Sequence, residues 1–100
     1  MAVKDFVNDT IAQNQVTIFS KSWCPYCKRA KGLFASDYSD VKVKVIELDE
    51  RDDGDAIQAA LLELTGQRTV PNVFINKKHV GGSDAVYALH AKDGVAPLLA

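Results

Sequence analysis

Cysteine, proline and methionine are scarce in this sequence of 100 residues, which contains two cysteines, three prolines and one methionine. A disulfide-dense secreted domain would carry more cysteines, spread along the chain. The sequence also lacks an apolar run long enough for a signal peptide or a membrane span. The remaining composition, 47% hydrophobic and 25% charged residues, is ordinary for globular proteins, so one domain over residues 1–100 is expected.

Neither sign of charge is in excess, because 12 Lys and Arg residues face 13 Asp and Glu residues and leave a net charge of -1. Binding to nucleic acid phosphates needs a strong basic excess, so we expect no nucleic acid partner, and we expect no membrane partner either. The protein is expected to be a cytoplasmic monomer. In that reducing compartment a close pair of cysteines indicates redox catalysis or metal binding and argues against a structural disulfide.

The hydrophobic pattern predicts an α/β domain with the element order α-β-α-β-α-β-β-α. Strands are predicted at residues 16–20, 41–45, 70–75 and 78–80. The second strand alternates valine with lysine and is therefore placed at an edge of the sheet, and the last two strands form a hairpin. The C-terminal residues 95–100 are expected to add a short helical turn.

Two further patterns concern the helices. The third helix is predicted to bury a stripe formed by Ile57, Ala60, Leu61 and Leu64, and Gly66 is expected to end it. The last helix is expected to begin at Ser83 or Asp84, with one of these side chains as its cap.

The two cysteines, Cys24 and Cys27, lie between the first strand and the second helix. At a helix N-terminus the unpaired N–H groups and the helix dipole favour a thiolate at Cys24, and Lys21 adds positive charge nearby. Cys27 follows about one turn later on the apolar side, so it should be less exposed and less acidic. We therefore assign Cys24 as the attacking nucleophile and Cys27 as the resolving thiol.

A zinc site is the main alternative use of the two cysteines. Structural zinc takes four ligands, and only His79 and His90 could complete the set, from a hairpin and from the last helix. We therefore assign no metal ligands, and we expect both histidines to be surface or packing residues.

At this point the sequence resembles the dithiol glutaredoxin family over almost its whole length. The motifs that carry the resemblance are Lys21-Ser22-Trp23-Cys24-Pro25-Tyr26-Cys27, Thr69-Val70-Pro71 and Gly81-Gly82-Ser83-Asp84. CPYC differs from the CGPC typical of thioredoxins and from the CGFS typical of monothiol glutaredoxins. The resemblance implies a thioredoxin fold, a four-stranded mixed sheet flanked by helices, with glutathione as co-substrate and no tightly bound cofactor.

The resemblance also implies a set of glutathione contacts spread over the chain. These are Lys21, Tyr26, Gln58, Thr69, Val70, Pro71, Gly82, Ser83 and Asp84, beside the catalytic Cys24 and Cys27. It further implies a cis peptide bond between Val70 and Pro71.

The chemistry of these side chains suits glutathione, which carries two carboxylates, one ammonium and peptide groups. The N-terminus of the last helix suits one carboxylate, and Asp84 suits the ammonium. Lys21, with Gln58 or Arg68, suits the other carboxylate, and Val70 suits strand-like pairing with the bound peptide.

The implied activity is reduction of glutathionylated proteins and of low-molecular-weight or protein disulfides, with glutathione reductase acting indirectly through the glutathione pool. One alternative is a dimer that binds an iron–sulfur cluster through one cysteine per chain and two glutathiones, which Pro25 disfavours. Another is a thioredoxin-like enzyme reduced by its own reductase, which CPYC disfavours.

The hairpin departs from the family pattern, since many members have Asn-Gly at the turn and this chain has Asn76-Lys77. A type I′ turn needs positive φ at both residues, which lysine adopts poorly. The sequence therefore predicts a looser turn or one of another type.

Overall fold

The computed structural model describes residues 2–100 and contains the predicted helices and strands in the predicted order. The helices are α1 (Ala2–Gln13), α2 (Pro25–Asp37), α3 (Gly54–Thr65), α4 (Ser83–Ala91) and α5 (Val95–Leu99). The strands are β1 (Val16–Ser20), β2 (Val43–Glu47), β3 (Asn72–Ile75) and β4 (Lys78–Gly81), with a 3-10 turn at Leu48–Glu50. The predicted short helical turn at the C-terminus is α5.

The four strands form one mixed sheet in the order β2-β1-β3-β4. β1 pairs in parallel with β2 and antiparallel with β3, and β3 and β4 form the antiparallel hairpin. β1 is buried at every position, as its continuous apolar run predicts for a central strand. This four-stranded mixed sheet with helices on its faces is the expected thioredoxin fold.

β2 lies at the predicted edge of the sheet but begins two residues later than predicted, at Val43 instead of Val41. The Val41 N–H donates to the carbonyl of Tyr38 at 3.0 Å, so residues 38–41 form a turn. Val16 at the start of β1 pairs with Val43, which sets the register of the strand. The valine and lysine alternation thus indicated the strand without fixing where the turn before it ends.

The sheet separates two apolar cores because successive residues of a strand face opposite sides. Phe19 and Phe74 pack edge to face, with ring centroids 6.0 Å apart, in the core beneath α1 and α3. Ile18 and Val73 lie in the second core, under α2, α4 and α5. The end of β1, and with it the turn that carries Cys24, is therefore fixed from both sides.

The predicted apolar stripe of α3 is only partly buried. Ile57, Ala60 and Leu61 belong to the core, whereas Leu64 is 52% exposed. Leu64 lies in the last turn of α3 and lines an open groove between α1 and α3. The prediction for Leu64 was wrong because periodicity shows which face a residue occupies and not how closely the partner helix packs at each position on that face.

The hairpin turn is tight, which corrects the prediction of a looser connection. Asn76 and Lys77 have φ values of 47° and 71°, and the two residues on either side of them, Ile75 and Lys78, pair directly. Asn76 makes two hydrogen bonds to distant parts of the chain. Its N–H donates to the Gln15 carbonyl at 2.8 Å, and its Nδ2 donates to the Leu98 carbonyl at 2.5 Å. These bonds and the strand register offset the cost of a left-handed lysine, which is about 1 kcal/mol.

Replacing Lys77 by glycine should therefore stabilise the protein. Glycine adopts positive φ without a steric penalty, and the Lys77 side chain has no hydrogen bond or ion pair among residues 2–100. We expect a gain of about 0.5–1 kcal/mol in the free energy of unfolding, measured by urea denaturation. Lys78→Gly, at a strand position, is the control and should destabilise the protein. A loss of stability in Lys77→Gly would contradict the observed turn.

Candidate active site

Cys24 is the N-cap residue of α2. The chain leaves β1 at Ser20, and the Cys24 N–H donates to the Lys21 carbonyl at 3.0 Å, which closes the turn into the helix. The Sγ of Cys24 accepts a hydrogen bond from the backbone N–H of Cys27 at 3.4 Å. Pro25 occupies the first turn of the helix, where a missing N–H costs nothing. An N–H donor and the positive end of the helix thus face the sulfur of Cys24, at the helix N-terminus where the sequence placed it.

Cys27 is the more deeply buried of the two free thiols. Its exposed fraction is 0%, against 6% for Cys24. Burial raises the pKa of Cys27 to about 11, because an apolar environment disfavours the thiolate. Cys27 is thus the less exposed of the two sulfurs, as predicted.

This asymmetry should be visible in alkylation with iodoacetamide. Because burial raises the pKa of Cys27 to about 11, its thiolate is scarce at pH 7 and becomes more abundant as the pH rises towards that value. We expect reduced protein to be labelled at Cys24 at pH 7, with Cys27 unmodified until the pH approaches 11, as followed by peptide mass mapping. Labelling of Cys27 at pH 7 as fast as Cys24 would contradict the burial of the second thiol.

A groove of about 360 Å³ opens near Cys24, a volume within the range of small-molecule sites. Its lining residues are Tyr26, Thr69, Val70, Pro71, Gly82, Ser83, Asp84 and Ala85. The Val70–Pro71 peptide bond is cis, as the resemblance implied. The carbonyl oxygen of Val70 lies 4.0 Å from the Sγ of Cys24, so the backbone edge of Val70 connects the thiol to the groove.

The far wall of the groove is the N-terminus of α4, and no side chain caps it. Gly82 is the N-cap residue, and Ser83 and Asp84 are the first two residues of the helix. The expected cap by Ser83 or Asp84 was therefore wrong, since a capping side chain must come from the N-cap position, which glycine occupies. The hydroxyl of Ser83 is buried and has no hydrogen-bond partner among residues 2–100. The N–H groups of this uncapped helix end and the Ser83 hydroxyl are hydrogen-bond donors that suit an anion.

Two of the predicted glutathione contacts, Lys21 and Gln58, lie outside the groove lining. The Nζ of Lys21 lies 5.9 Å from the centre of the Trp23 ring. Gln58 is buried, and its Nε2 donates to the carbonyl of Arg68 at 2.9 Å. The amide of Gln58 therefore supports the segment before Thr69 from within.

Ser22 anchors the turn before Cys24. Its N–H donates to the carboxylate of Asp49 at 2.9 Å, and its hydroxyl donates to the same carboxylate. These hydrogen bonds hold the pKa of Asp49 below its usual range, and Lys21 contributes through its charge. Sequence reasoning missed Asp49, since an aspartate after an edge strand carries no signal of this contact.

Gln67 is the second residue that the sequence did not reveal. Its Nε2 donates to the carbonyls of both Thr69 and Pro71, each at 3.0 Å. Both carbonyls belong to the segment that lines the groove. A glutamine just after a helix end is typical of a solvated surface residue, so no pattern pointed to this contact.

The two histidines make separate structural contacts. The Nε2 of His79 lies 2.9 Å from the Oδ1 of Asn72, and the Nδ1 of His90 lies 2.6 Å from the hydroxyl of Tyr38. Within residues 2–100, no three His, Cys, Asp or Glu side chains are grouped closely enough to hold a metal ion.

No helix within residues 2–100 combines the length and apolar character needed to cross a membrane.

Sequence comparison identifies the family. The profile described as Glutaredoxin matches residues 16–80. Glutaredoxin-C4 of Arabidopsis thaliana is 53% identical over 95 residues, which cover 95% of this chain and 69% of the relative. A glutaredoxin of Ricinus communis is 50% identical over 91 residues, which cover 91% of this chain and 87% of the relative.

Solved structures agree with this assignment. A buckwheat glutaredoxin in complex with glutathione is 47% identical and superimposes with a TM-score of 0.91, covering 98% of this chain and 87% of that one. The holo form of glutaredoxin C1 from Populus tremula x tremuloides is 40% identical with a TM-score of 0.91, covering 99% and 96%. The chain therefore belongs to the glutaredoxin family, and its CPYC pair at the start of α2 is that of a thiol–disulfide oxidoreductase.

Proposed function

We propose that the protein is a glutathione-dependent oxidoreductase that removes glutathione from glutathionylated proteins and also reduces low-molecular-weight and protein disulfides. The observation that carries the proposal is the groove beside Cys24, which combines an open peptide edge at Val70 with an uncapped helix end at Ser83. The solved glutathione complex of the buckwheat relative supports the choice of ligand.

Each part of glutathione has a matching group in or near the groove. One carboxylate binds the N–H groups and the Ser83 hydroxyl at the start of α4, and the ammonium pairs with Asp84. The peptide backbone of glutathione pairs with Val70 as an added strand would. We assign the second carboxylate to Lys21, whose long side chain can leave the Trp23 ring to reach it.

The first chemical step is attack by the Cys24 thiolate on the glutathione sulfur of the substrate disulfide. The bond between that sulfur and the substrate cysteine breaks, and the substrate leaves as a thiolate that takes a proton from water. A second glutathione thiolate then attacks the sulfur of the bound glutathione, which regenerates the Cys24 thiolate and releases oxidised glutathione. Each turnover therefore consumes one glutathione thiol: the substrate cysteine leaves as a thiol, and its former glutathione partner leaves joined to the second glutathione.

Cys27 serves disulfides between protein cysteines. When Cys24 is joined to a substrate cysteine, the Cys27 sulfur attacks the Sγ of Cys24, a Cys24–Cys27 disulfide forms, and the substrate leaves with the proton of the Cys27 thiol. Two glutathione thiols then reduce this disulfide and leave as oxidised glutathione. The raised pKa of Cys27 means that little of this sulfur is present as thiolate at neutral pH. Its position one helical turn away compensates, because the reaction is intramolecular.

A coupled assay tests the proposal. A glutathionylated peptide is supplied with glutathione, glutathione reductase and NADPH, and a parallel reaction replaces the glutathione system with thioredoxin reductase. We expect NADPH oxidation in the first reaction only. Turnover with thioredoxin reductase alone, or no turnover of reduced protein in either reaction, would reject glutathione as the reductant.

A further inference from the structure

Gln67 lies outside the groove lining, yet its side-chain amide holds the groove's backbone. The Nε2 donates to the Thr69 and Pro71 carbonyls, each at 3.0 Å. A primary amide nitrogen has two hydrogens, so both of its donors are used on this one segment. The carbonyl between them, that of Val70, instead lies 4.0 Å from the Sγ of Cys24. The two hydrogen bonds thus fix the orientation of the Val70 edge.

The backbone of Gln67 is itself anchored. Its N–H donates to the Oγ1 of Thr65 at 3.0 Å, directly after the left-handed Gly66 that ends α3. Its carbonyl accepts from the Nδ2 of Asn72 at 3.4 Å, and Asn72 is 1% exposed. The side chain therefore projects from a rigid helix end, which lets it hold the neighbouring segment in place.

The amide of Gln67 also lies close to Gly81 and Gly82, which lead into the second wall of the groove. A Cβ built on Gly82 would lie 3.6 Å from the Pro71 carbonyl oxygen and 3.9 Å from the Nε2 of Gln67. A Cβ built on Gly81 would lie 3.7 Å from the Oε1 of Gln67. The side chain of Gln67 therefore lies beside both the segment that carries Val70 and the backbone that leads into α4.

We propose that Gln67 is a positioning residue that sets the affinity of the groove for the glutathione half of the substrate without touching it. It acts through the Thr69 and Pro71 carbonyls, which keep the Val70 edge and the start of α4 at a fixed spacing. This inference rests on the proposed glutathione-dependent function. Its consequence is that donors at position 67 control substrate binding, whereas the reactivity of Cys24 is independent of them.

The test compares two variants whose side chains at position 67 are similar in length but differ in whether they can donate hydrogen bonds. Gln67→Met keeps most of the side-chain volume and donates nothing, whereas the ammonium of Gln67→Lys can donate to both carbonyls. For Gln67→Met we expect the KM for a glutathionylated peptide to rise about tenfold with kcat changed less than about twofold, because two carbonyls lose their donor. For Gln67→Lys we expect a KM within about threefold of the wild type.

Two controls separate positioning from a general loss of structure. The rate of Cys24 alkylation and the rate of its reaction with dipyridyl disulfide, which has none of glutathione's charged groups, should not change in either variant. If Gln67→Met fails to fold, Gln67→Ala takes its place in the comparison with Gln67→Lys.

The outcomes distinguish this inference from the function on which it rests. An unchanged KM in a folded donor-free variant, a KM raised equally in Gln67→Lys, or an equal slowing of both control reactions would overturn the positioning role while leaving the function intact. Absence of glutathione-dependent turnover in the wild-type protein would instead reject the proposed function.

Discussion

Replacing Cys24 by serine is expected to lower turnover of both glutathionylated peptides and protein disulfides by about 1000-fold or more. The hydroxyl of serine stays protonated at neutral pH and is a far weaker nucleophile than a cysteine sulfur. The measurement is the glutathione-coupled assay with each substrate.

Cys27→Ser is the matched variant, because it removes the other thiol of the same motif. We expect it to keep deglutathionylation within about threefold of the wild type, since that route needs only Cys24, and to lose most turnover of protein disulfides. Substantial deglutathionylation by Cys24→Ser, or its loss in Cys27→Ser, would reverse the assignment of the two sulfurs.

Gly54→Ala is expected to lower the free energy of unfolding by about 3 kcal/mol. Gly54 is the buried first residue of α3, and a Cβ there would overlap the carbonyl oxygen of Leu48 and lie 2.9 Å from the carbonyl carbon. Both atoms are backbone, so neither can move aside as a flexible side chain would. Thermal unfolding should show a decrease in Tm of about 12–24 °C.

Gly32→Ala provides the control for this substitution. Gly32 lies within α2, is exposed, and would place its Cβ more than 4 Å from any other side chain or backbone segment. Alanine there should raise stability by about 0.5–1 kcal/mol, because it favours helix without a clash. Equal effects of the two substitutions would show that the close approach of Gly54 to Leu48 does not limit stability.

The central parts of the fold were predictable because several signals agreed on them. The apolar run of β1, the cysteines that follow it and the helix after Cys27 fixed the position of the active site in the chain. The edge strand and the hairpin were also recognised from alternation and turn residues. At these positions local pattern and tertiary structure favour the same result.

The errors concern positions where tertiary contacts decide. The start of β2 depends on the turn at Val41, and the exposure of Leu64 depends on the open groove between α1 and α3. The tight turn at Lys77 depends on hydrogen bonds from Asn76 to distant carbonyls. None of these partners is visible in the local sequence.

The site shows the same division. The residues that line the groove lie in motifs that the sequence displays, whereas the supporting amides of Gln58 and Gln67 act on backbone carbonyls. Every residue has a backbone carbonyl, so a side chain that donates to one requires no particular residue type at the partner position. Such supporting residues can be found only once the backbone is placed.

The most direct test of the account is to identify what Cys24 carries after a single turnover. Cys27→Ser protein, which has no resolving thiol, is mixed with a glutathionylated peptide, quenched in acid and analysed by intact and peptide mass spectrometry. We predict that one glutathione is attached to Cys24 and that the peptide is released as a free thiol, because the groove holds the glutathione half of the disulfide. Attachment of the peptide to Cys24, with release of glutathione, would contradict the account.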